Sequence, residues 1–237
     1  AMLVGIGAAA RISIKLGENK KNEAENILGN ALVLLVLVSA IVTFLGLVFV
    51  EPMLRSFGAS NNTIGYAKQF ITILLAGSIF QIIGFGLNNI IRSEGNPKKA
   101  MTTMLIGGIC NIILDFVFIY ILNFGIRGAA IATVISQGIN MVWVLYYFLR
   151  GNSMLKIKKE NLHLKKDVVL SIFSIGMSPF AMQLAASLVN IILNRSLFIY
   201  GGDLAIGAMG IINGIATLIL MPIFGINQGV QPIIGFN

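Results

Sequence analysis

Six long apolar segments run through the chain, and each is long enough to cross a lipid bilayer as an α-helix. About 20 apolar residues span the hydrocarbon core in helical form. The segments are Ile27–Val50, Gln69–Ile91, Met101–Leu122, Ile126–Leu149, Val168–Tyr200 and Leu204–Gly235. No alternation of apolar and polar residues persists as it would in a membrane β-barrel. The sequence therefore predicts an all-α, polytopic membrane protein with about six transmembrane helices.

The composition supports lipid as the surroundings and excludes several kinds of function. Hydrophobic residues make up 57% of the 237 and charged residues only 11%, whereas soluble domains carry about a quarter charged residues. One cysteine, Cys110, and one histidine, His163, leave no ligand cluster for a metal. No catalytic constellation or phosphate-binding loop is present either. We therefore expect no enzyme, no catalytic residue, no metal site and no cofactor.

The net charge of +8 reflects membrane orientation, not nucleic-acid binding. Thirteen of the 17 basic residues lie before the first segment or in the loops that share its side, and four lie on the opposite side. Cytoplasmic loops of membrane proteins carry such an excess of Lys and Arg. The distribution predicts that both ends of the chain are cytoplasmic and that nucleic acid is not a partner.

The longest polar stretch, residues 150–167, divides the chain. It predicts an amino-terminal membrane part, 1–149, and the start of a second part, 168–237, joined by a cytoplasmic linker. The alternative is an ordinary loop held near anionic headgroups by its lysines. The chain also opens and closes within apolar stretches, so we expect an internal fragment of a larger protein.

Asp115 is the sharpest candidate for function, because it is the one acidic residue inside a predicted span. A carboxylate in hydrocarbon costs a few kcal/mol and is retained where it faces a cavity or polar partner. Asn111 lies one turn earlier on the same helix face. Thr133, on the next span, lies at a matching depth of about 10 Å from the outer surface. The sequence predicts a polar site of these three residues, and a structural hydrogen-bond cluster is the alternative.

Other polar residues inside the spans are candidates for lining a cavity. Asn88 lies near the inner end of the second span. Gln183 and Asn190 share one face of the fifth span, where bonds between helices would explain them equally well.

Five short motifs occur in the chain in a characteristic order. They are Gly7-Ala-Ala-Ala-Arg-Ile-Ser with Leu16-Gly17, Ile91-Arg-Ser-Glu-Gly-Asn-Pro97, Asn111-Ile-Ile-Leu-Asp115, Gly125-Ile-Arg-Gly-Ala-Ala-Ile-Ala-Thr133 and Gln231-Pro-Ile-Ile-Gly-Phe-Asn237. Together they resemble the MATE family of multidrug and toxic-compound extrusion transporters, in its bacterial branch. The resemblance extends over essentially the whole chain.

The resemblance implies twelve helices in two lobes, with this chain forming helices three to eight. It implies an exporter in the bacterial inner membrane that exchanges H⁺ or Na⁺ for an organic cation or amphipathic drug by alternating access, and that is monomeric when full length. Asn111, Asp115 and Thr133 fall on the family's amino-lobe cation-coupling positions, and Asn88 matches another member of that site.

Three other functions stay open at this point. A lipid-linked sugar flippase of the same superfamily is the main alternative, although it would need several basic residues inside its cavity to hold a diphosphate. A structural membrane protein would not retain Asp115 in an uncharged interior. A channel would show a ring of charges or a filter, and neither is visible.

Overall fold

The computed structural model describes the backbone of residues 1–236 and their side chains except 224, 225, 227–229 and 231–236. The closing motif at residues 231–237 thus lies outside the described side chains. The described part is helical and contains no strand, which confirms the predicted fold class. In chain order the elements are α1 (Met2–Gly17), α2 (Lys21–Val48), α3 (Val50–Ser56), α4 (Ile64–Ala76), α5 (Ser78–Ser93), α6 (Pro97–Asp115), a π-helical segment (Phe116–Ile121), α7 (Gly125–Leu149), a 3₁₀ turn (Lys159–Leu162) and α8 (Lys166–Phe236).

Most of the predicted spans appear as long apolar helices. Within the described residues, α2, α6 with its π-helical segment, α7 and the first 58 residues of α8 are long and apolar enough to cross a membrane. The fifth and sixth predicted spans are continuous in α8 except at Gly202, whose φ of 63° and ψ of −162° are not helical. A glycine adopts this positive φ without the strain that a Cβ would cause.

The second predicted span, Gln69–Ile91, is not one straight helix. It is divided into α4 and α5, which meet at an angle of 55°. The bend lies at Gly77, where a Cβ would stand 2.5 Å from Val134 of α7. The Ser78 hydroxyl then bonds that of Thr43 on α2, at 2.6 Å. Tertiary contacts on both sides of Gly77 therefore set a bend that an apolar pattern does not reveal.

Helix α1 packs closely against the start of α8 through two glycines. A Cβ at Gly7 would collide with the carbonyl of Ile172, and a Cβ at Gly176 would collide with the carbonyl of Leu3. Small residues let helix backbones approach in this way, and close packing contributes much of helix association in lipid.

The buried apolar core lies toward the Lys-rich side of the molecule. Leu28, Leu87 and Phe148, from α2, α5 and α7, are all fully buried, together with Leu155 of the linker. Farther along the same helices, large apolar side chains such as Phe44 of α2 are mostly exposed. Such exposed apolar surface is what a lipid-facing helix requires.

The linker is held against this core by a buried carboxylate, Glu94, in the loop between α5 and α6. Glu94 is only 2% exposed. It accepts hydrogen bonds from the Tyr147 hydroxyl at 3.0 Å, the Ser153 hydroxyl at 2.6 Å and the Leu155 backbone N–H at 3.3 Å. The burial of the Glu94 carboxyl raises its pKa above the ordinary value, because desolvation disfavours the charged form.

Helix α2 holds the rest of the linker through a second buried carboxylate and an amide. Glu25 accepts the Lys156 backbone N–H at 3.3 Å and pairs with the Lys158 ammonium at 2.5 Å. Farther along, the Asn30 side chain accepts the Lys165 backbone N–H at 2.7 Å. Because these partners extend to the residue before α8, residues 150–167 are fastened along most of their length.

We expect Glu94→Ala to destabilise the full-length protein by about 3 kcal/mol, because it leaves the buried Tyr147 and Ser153 hydroxyls without their acceptor. Glu94→Gln keeps an amide oxygen at that place and should cost much less. Thermal unfolding of the purified protein in detergent measures both. Glu160→Ala, which removes an exposed linker carboxylate, is the matched control and should melt like the wild type.

The pH dependence of these melting curves provides a second check. Since the folded-state pKa of Glu94 is raised above 4.5, the folded protein binds this proton more tightly than the unfolded chain. The stability that Glu94 contributes should therefore fall as pH rises from 4.5 through the raised pKa. Glu94→Gln should lack that component, and an identical pH dependence in wild type and variant would contradict the assignment.

Candidate functional site

Asp115 is the last residue of α6 and is partly buried. Its Oδ1 atom is inaccessible to solvent and has no hydrogen-bond partner among the described residues, and the same is true of Asn111 Nδ2 one turn earlier. A buried polar atom without a partner costs about 1–3 kcal/mol. One helix face therefore carries a buried acceptor, Asp115 Oδ1, and a buried donor, Asn111 Nδ2, that are both without a hydrogen-bond partner in the part of the chain that the structure describes.

Immediately after Asp115 the helix changes its hydrogen-bonding pattern. Residues Phe116–Ile121 are π-helical, and the Leu122 N–H bonds the Val117 carbonyl five residues back, at 2.9 Å. Segments of π-helix are rare and often occur at functional sites. Hydropathy does not predict this π-helical segment, since its apolar residues suit an α-helix equally well.

Thr133 of α7 is partly buried, and its hydroxyl donates to the Ala129 carbonyl at 2.9 Å. The proton of the hydroxyl is therefore used within α7, while its oxygen can still accept a bond or bind a cation. Helices α6 and α7 run antiparallel, and Gly128 packs on the Phe118 backbone at one end of the contact. This register places Asp115 and Thr133 at similar heights, although no direct bond joins their side chains.

Asn140 is a member of the same surface that the sequence analysis missed. Its side chain lies on Gly107 of α6, two turns before Asp115. Asn140 Oδ1 is also buried and unpartnered in the described part of the chain. The spacing of Thr133, Gln137 and Asn140 at four and three residues on a predicted span could have revealed this polar face.

A cavity of about 180 Å³ opens between α5, α6 and α7, on the inner side of this polar face. Its lining combines amides with aromatic and sulfur-containing side chains. The lining residues are Phe80, Gln81, Gly84, Phe85, Asn88, Thr103, Met104, Gln137 and Asn140. Asn88 thus borders the cavity, and its Nδ2 donates to the Ala100 carbonyl at 3.1 Å.

The other two candidates for cavity lining lie elsewhere. Gln183 and Asn190 are exposed on α8 and are not part of the cavity between α5, α6 and α7. Their proposed role in lining a cavity therefore remains a prediction.

The oxygen atoms available around Asp115 suit a small hard cation or a proton. A carboxylate, an amide carbonyl and a hydroxyl are the ligand types that such cations prefer. Within the residues that the structure describes, no group of three or more His, Cys, Asp or Glu side chains is placed to hold a metal ion. The polar atoms at this place are thus centred on a single carboxylate, that of Asp115.

Comparison with known proteins places this geometry in context. The family model described as MatE matches residues 1–117. The chain is 28% identical over 236 residues to the multidrug export protein MepA of Staphylococcus saprophyticus. The aligned region covers 99% of this chain and 52% of that protein. The chain thus spans about half the length of the curated relatives that it matches.

Solved structures show the same likeness. A chain described as "protein A" is 41% identical, with a TM-score of 0.93 over 99% of this chain and 53% of its own. The outward-facing conformation of a multidrug resistance MATE family transporter of the MOP superfamily is 27% identical, with a TM-score of 0.88 over 99% of this chain and 52% of its own.

The α6–α7 contact yields a test with a matched control. Gly107→Ala places a methyl group against the Asn140 amide, so we expect a loss of about 1–3 kcal/mol in stability from overpacking. Gly108→Ala has open space around its new methyl group and should be neutral or slightly stabilising. Thermal unfolding of the full-length protein compares them, and equal melting temperatures for the two variants would show that this contact is wrong.

Proposed function

Since the chain belongs to the MATE family of membrane transporters, we propose that it forms part of an exporter driven by a cation gradient. The exporter would take an amphipathic or cationic compound from the cytoplasm and expel it in exchange for external H⁺ or Na⁺. It is a transporter and not an enzyme, and it needs no cofactor. Its partners are the small-molecule substrate and the surrounding lipid.

The observation that carries this proposal is the unpartnered carboxylate oxygen of Asp115. An ionised group inside a membrane is expensive and is retained where it serves a purpose. A static hydrogen-bond cluster could be built from amides alone. A carboxylate adds the ability to change charge, and Asn111 and Thr133 supply further polar atoms on the facing helix surfaces.

Binding of the coupling ion at Asp115 would neutralise the charge within the amino-terminal part. A neutral site is stable in a drier environment than a charged one, so ion binding would favour a different packing of α6 against α7. The π-helical segment beside Asp115 gives α6 a place where the hydrogen-bonding register can change. Alternating access between two lobes would then couple ion entry to substrate release.

The cavity supports an amphipathic substrate. Phe80, Phe85 and Met104 offer apolar contacts, and Met adapts to ligands of different shape. The amides at Gln81 and Gln137 add hydrogen bonds without a fixed charge.

A lipid-linked sugar flippase is the alternative function. Its diphosphate would require basic side chains in the cavity wall, and the described lining contains none. One basic residue, Arg92, lies behind that wall. The lining therefore favours export of an amphipathic compound.

We place the protein in the bacterial inner membrane, with both ends of this chain and residues 150–167 in the cytoplasm. The excess of Lys and Arg on that side supports this orientation. A monomer is proposed for the full-length protein.

Cysteine labelling in intact cells tests this orientation. Lys159 in the linker and Asn62 between α3 and α4 are both exposed and lie on opposite sides in our topology. After replacement of Cys110, a membrane-impermeant maleimide should label Asn62→Cys from outside. Lys159→Cys should react only after the cells are permeabilised. The reverse pattern would invert the proposed orientation.

The role of Asp115 is tested by Asp115→Asn in the full-length protein. The amide fills the same space, so we expect normal expression, but it cannot change charge, so export driven by an ion gradient should be nearly abolished. Asn111→Ala and Thr133→Ala should be milder, because they alter only the surroundings of the carboxylate. The measurement is efflux of a fluorescent lipophilic cation, such as ethidium, from vesicles under an imposed H⁺ or Na⁺ gradient.

Glu160→Gln, which removes an exposed carboxylate outside the spans, is the control and should export like the wild type. An Asp115→Asn protein that is normally expressed and exports at the wild-type rate would identify Asp115 as a structural residue.

A further inference from the structure

Arg92 is a buried cation at the inner end of α5. It is 8% exposed. Its Nη2 atom donates to Asn88 Oδ1 at 2.9 Å and to Met104 Sδ at 3.0 Å, and its Nη1 atom donates to Asn89 Oδ1 at 3.2 Å. Each of these acceptors is neutral. Among the described residues, no carboxylate lies within ion-pair distance of Arg92.

This arrangement is unusual for a buried charge. Buried guanidinium groups are normally paired with carboxylates, because hydrogen bonds to neutral groups do not cancel their field. The nearest acid in sequence, Glu94, is already bonded to Tyr147, Ser153 and Leu155. The charge of Arg92 is thus held in place by neutral acceptors, while its electrostatic field extends into the surroundings.

The surroundings in one direction are the cavity. Asn88 and Met104 border the cavity, and both contact Arg92, which is not itself in the lining. Gln81, Asn88 and Arg92 follow one another along α5 at intervals of seven and four residues, on one helix face. Arg92 therefore lies about 6 Å beyond Asn88, toward the inner end of the cavity.

Polar groups lead toward Arg92 from the opposite direction as well. Asn140 packs on Gly107 and borders the cavity, and Asn111 and Asp115 lie one and two turns beyond Gly107 on α6. A cation that reached the cavity along these groups would meet the guanidinium before the cytoplasmic surface. Asn88, bonded to both Arg92 and the Ala100 carbonyl, ties α5 to α6 at the same level.

We propose that Arg92 is an electrostatic barrier at the inner end of the cavity, which prevents the coupling cation from leaking through to the cytoplasm. The inference rests on the proposed cation-driven export and adds to it the residue that keeps ion movement tied to transport. A fixed positive charge beside a narrow polar path excludes protons and metal cations in membrane pores by repulsion. The neutral partners of Arg92 matter here, because a paired carboxylate would cancel this repulsion.

The test is ion leak in the absence of any drug. Full-length protein is reconstituted in liposomes, a K⁺ diffusion potential with the negative side inside is imposed with valinomycin, and entry of H⁺ and Na⁺ is followed with pyranine and radioactive sodium. Liposomes that contain the wild-type protein should show little entry of H⁺ or Na⁺. Arg92→Met, which is neutral, should leak severalfold faster for the coupling cation, and Arg92→Lys should stay close to wild type because it retains the charge.

Arg150→Met removes an exposed arginine at the start of the linker and should remain tight. Should Arg92→Met fail to fold, Arg92→Gln is measured in the same way. A folded neutral variant that is as tight as wild type would overturn the barrier, and so would a failure of both neutral variants to fold, since the charge would then serve folding. The leak assay needs no substrate, so a wild type that does not export under an ion gradient refutes the proposed function separately.

Discussion

The cost of placing an ionised side chain in hydrocarbon organises this molecule. Nearly all charged residues lie at helix ends or in loops, and three that are buried or partly buried have their hydrogen-bonding groups satisfied to different degrees. Glu94 is buried but accepts three hydrogen bonds at the inner surface, and Arg92 is surrounded by neutral acceptors. Asp115 keeps a buried carboxylate oxygen without a hydrogen-bond partner among the described residues. The degree to which each charge is satisfied thus separates a structural anchor at Glu94, a fixed positive field at Arg92 and the proposed coupling site at Asp115.

Glycines determine how closely the helices around these charges approach. Gly7 and Gly176 bring α1 and α8 into backbone contact, and Gly77 permits the bend before α5. Gly107 leaves room for the Asn140 amide, so that a polar side chain occupies the place of a methyl group. In lipid, where apolar surface gains little from burial, such steric fit accounts for much of the packing. The shape of the cavity wall therefore depends on its glycines as well as on its larger side chains, since the Asn140 amide in that wall occupies the space beside Gly107.

Much of the helical architecture could be predicted from hydropathy alone, because span length and loop charge follow directly from the bilayer. The helices at Ile126–Leu149 and the break between Tyr200 and Leu204 are examples. The bend at Gly77 could not be predicted, since Val134 and Thr43, which fix it, are distant in sequence. At the candidate site, counting depth was enough to relate Asp115 to Thr133. It did not reveal the packing of Asn140 on Gly107 or the contact of Met104 with Arg92, because both depend on the rotation of neighbouring helices.

The fastened linker has a mechanical consequence. Because Glu25, Glu94 and Asn30 hold the connection almost to the first residue of α8, no slack remains to absorb displacement between the two halves of the chain. Beyond its contact with α1 at Gly176, the first half of α8 runs about 40 Å to the interruption at Gly202. Next to this interruption, the Asp203 carboxylate accepts a hydrogen bond from the Ser60 hydroxyl at 3.0 Å. A tilt of about ten degrees at its base would carry the far end through about 7 Å. A small rearrangement at the Lys-rich side would thus be enough to break the hydrogen bond between Ser60 and Asp203 at the opposite side, next to Gly202.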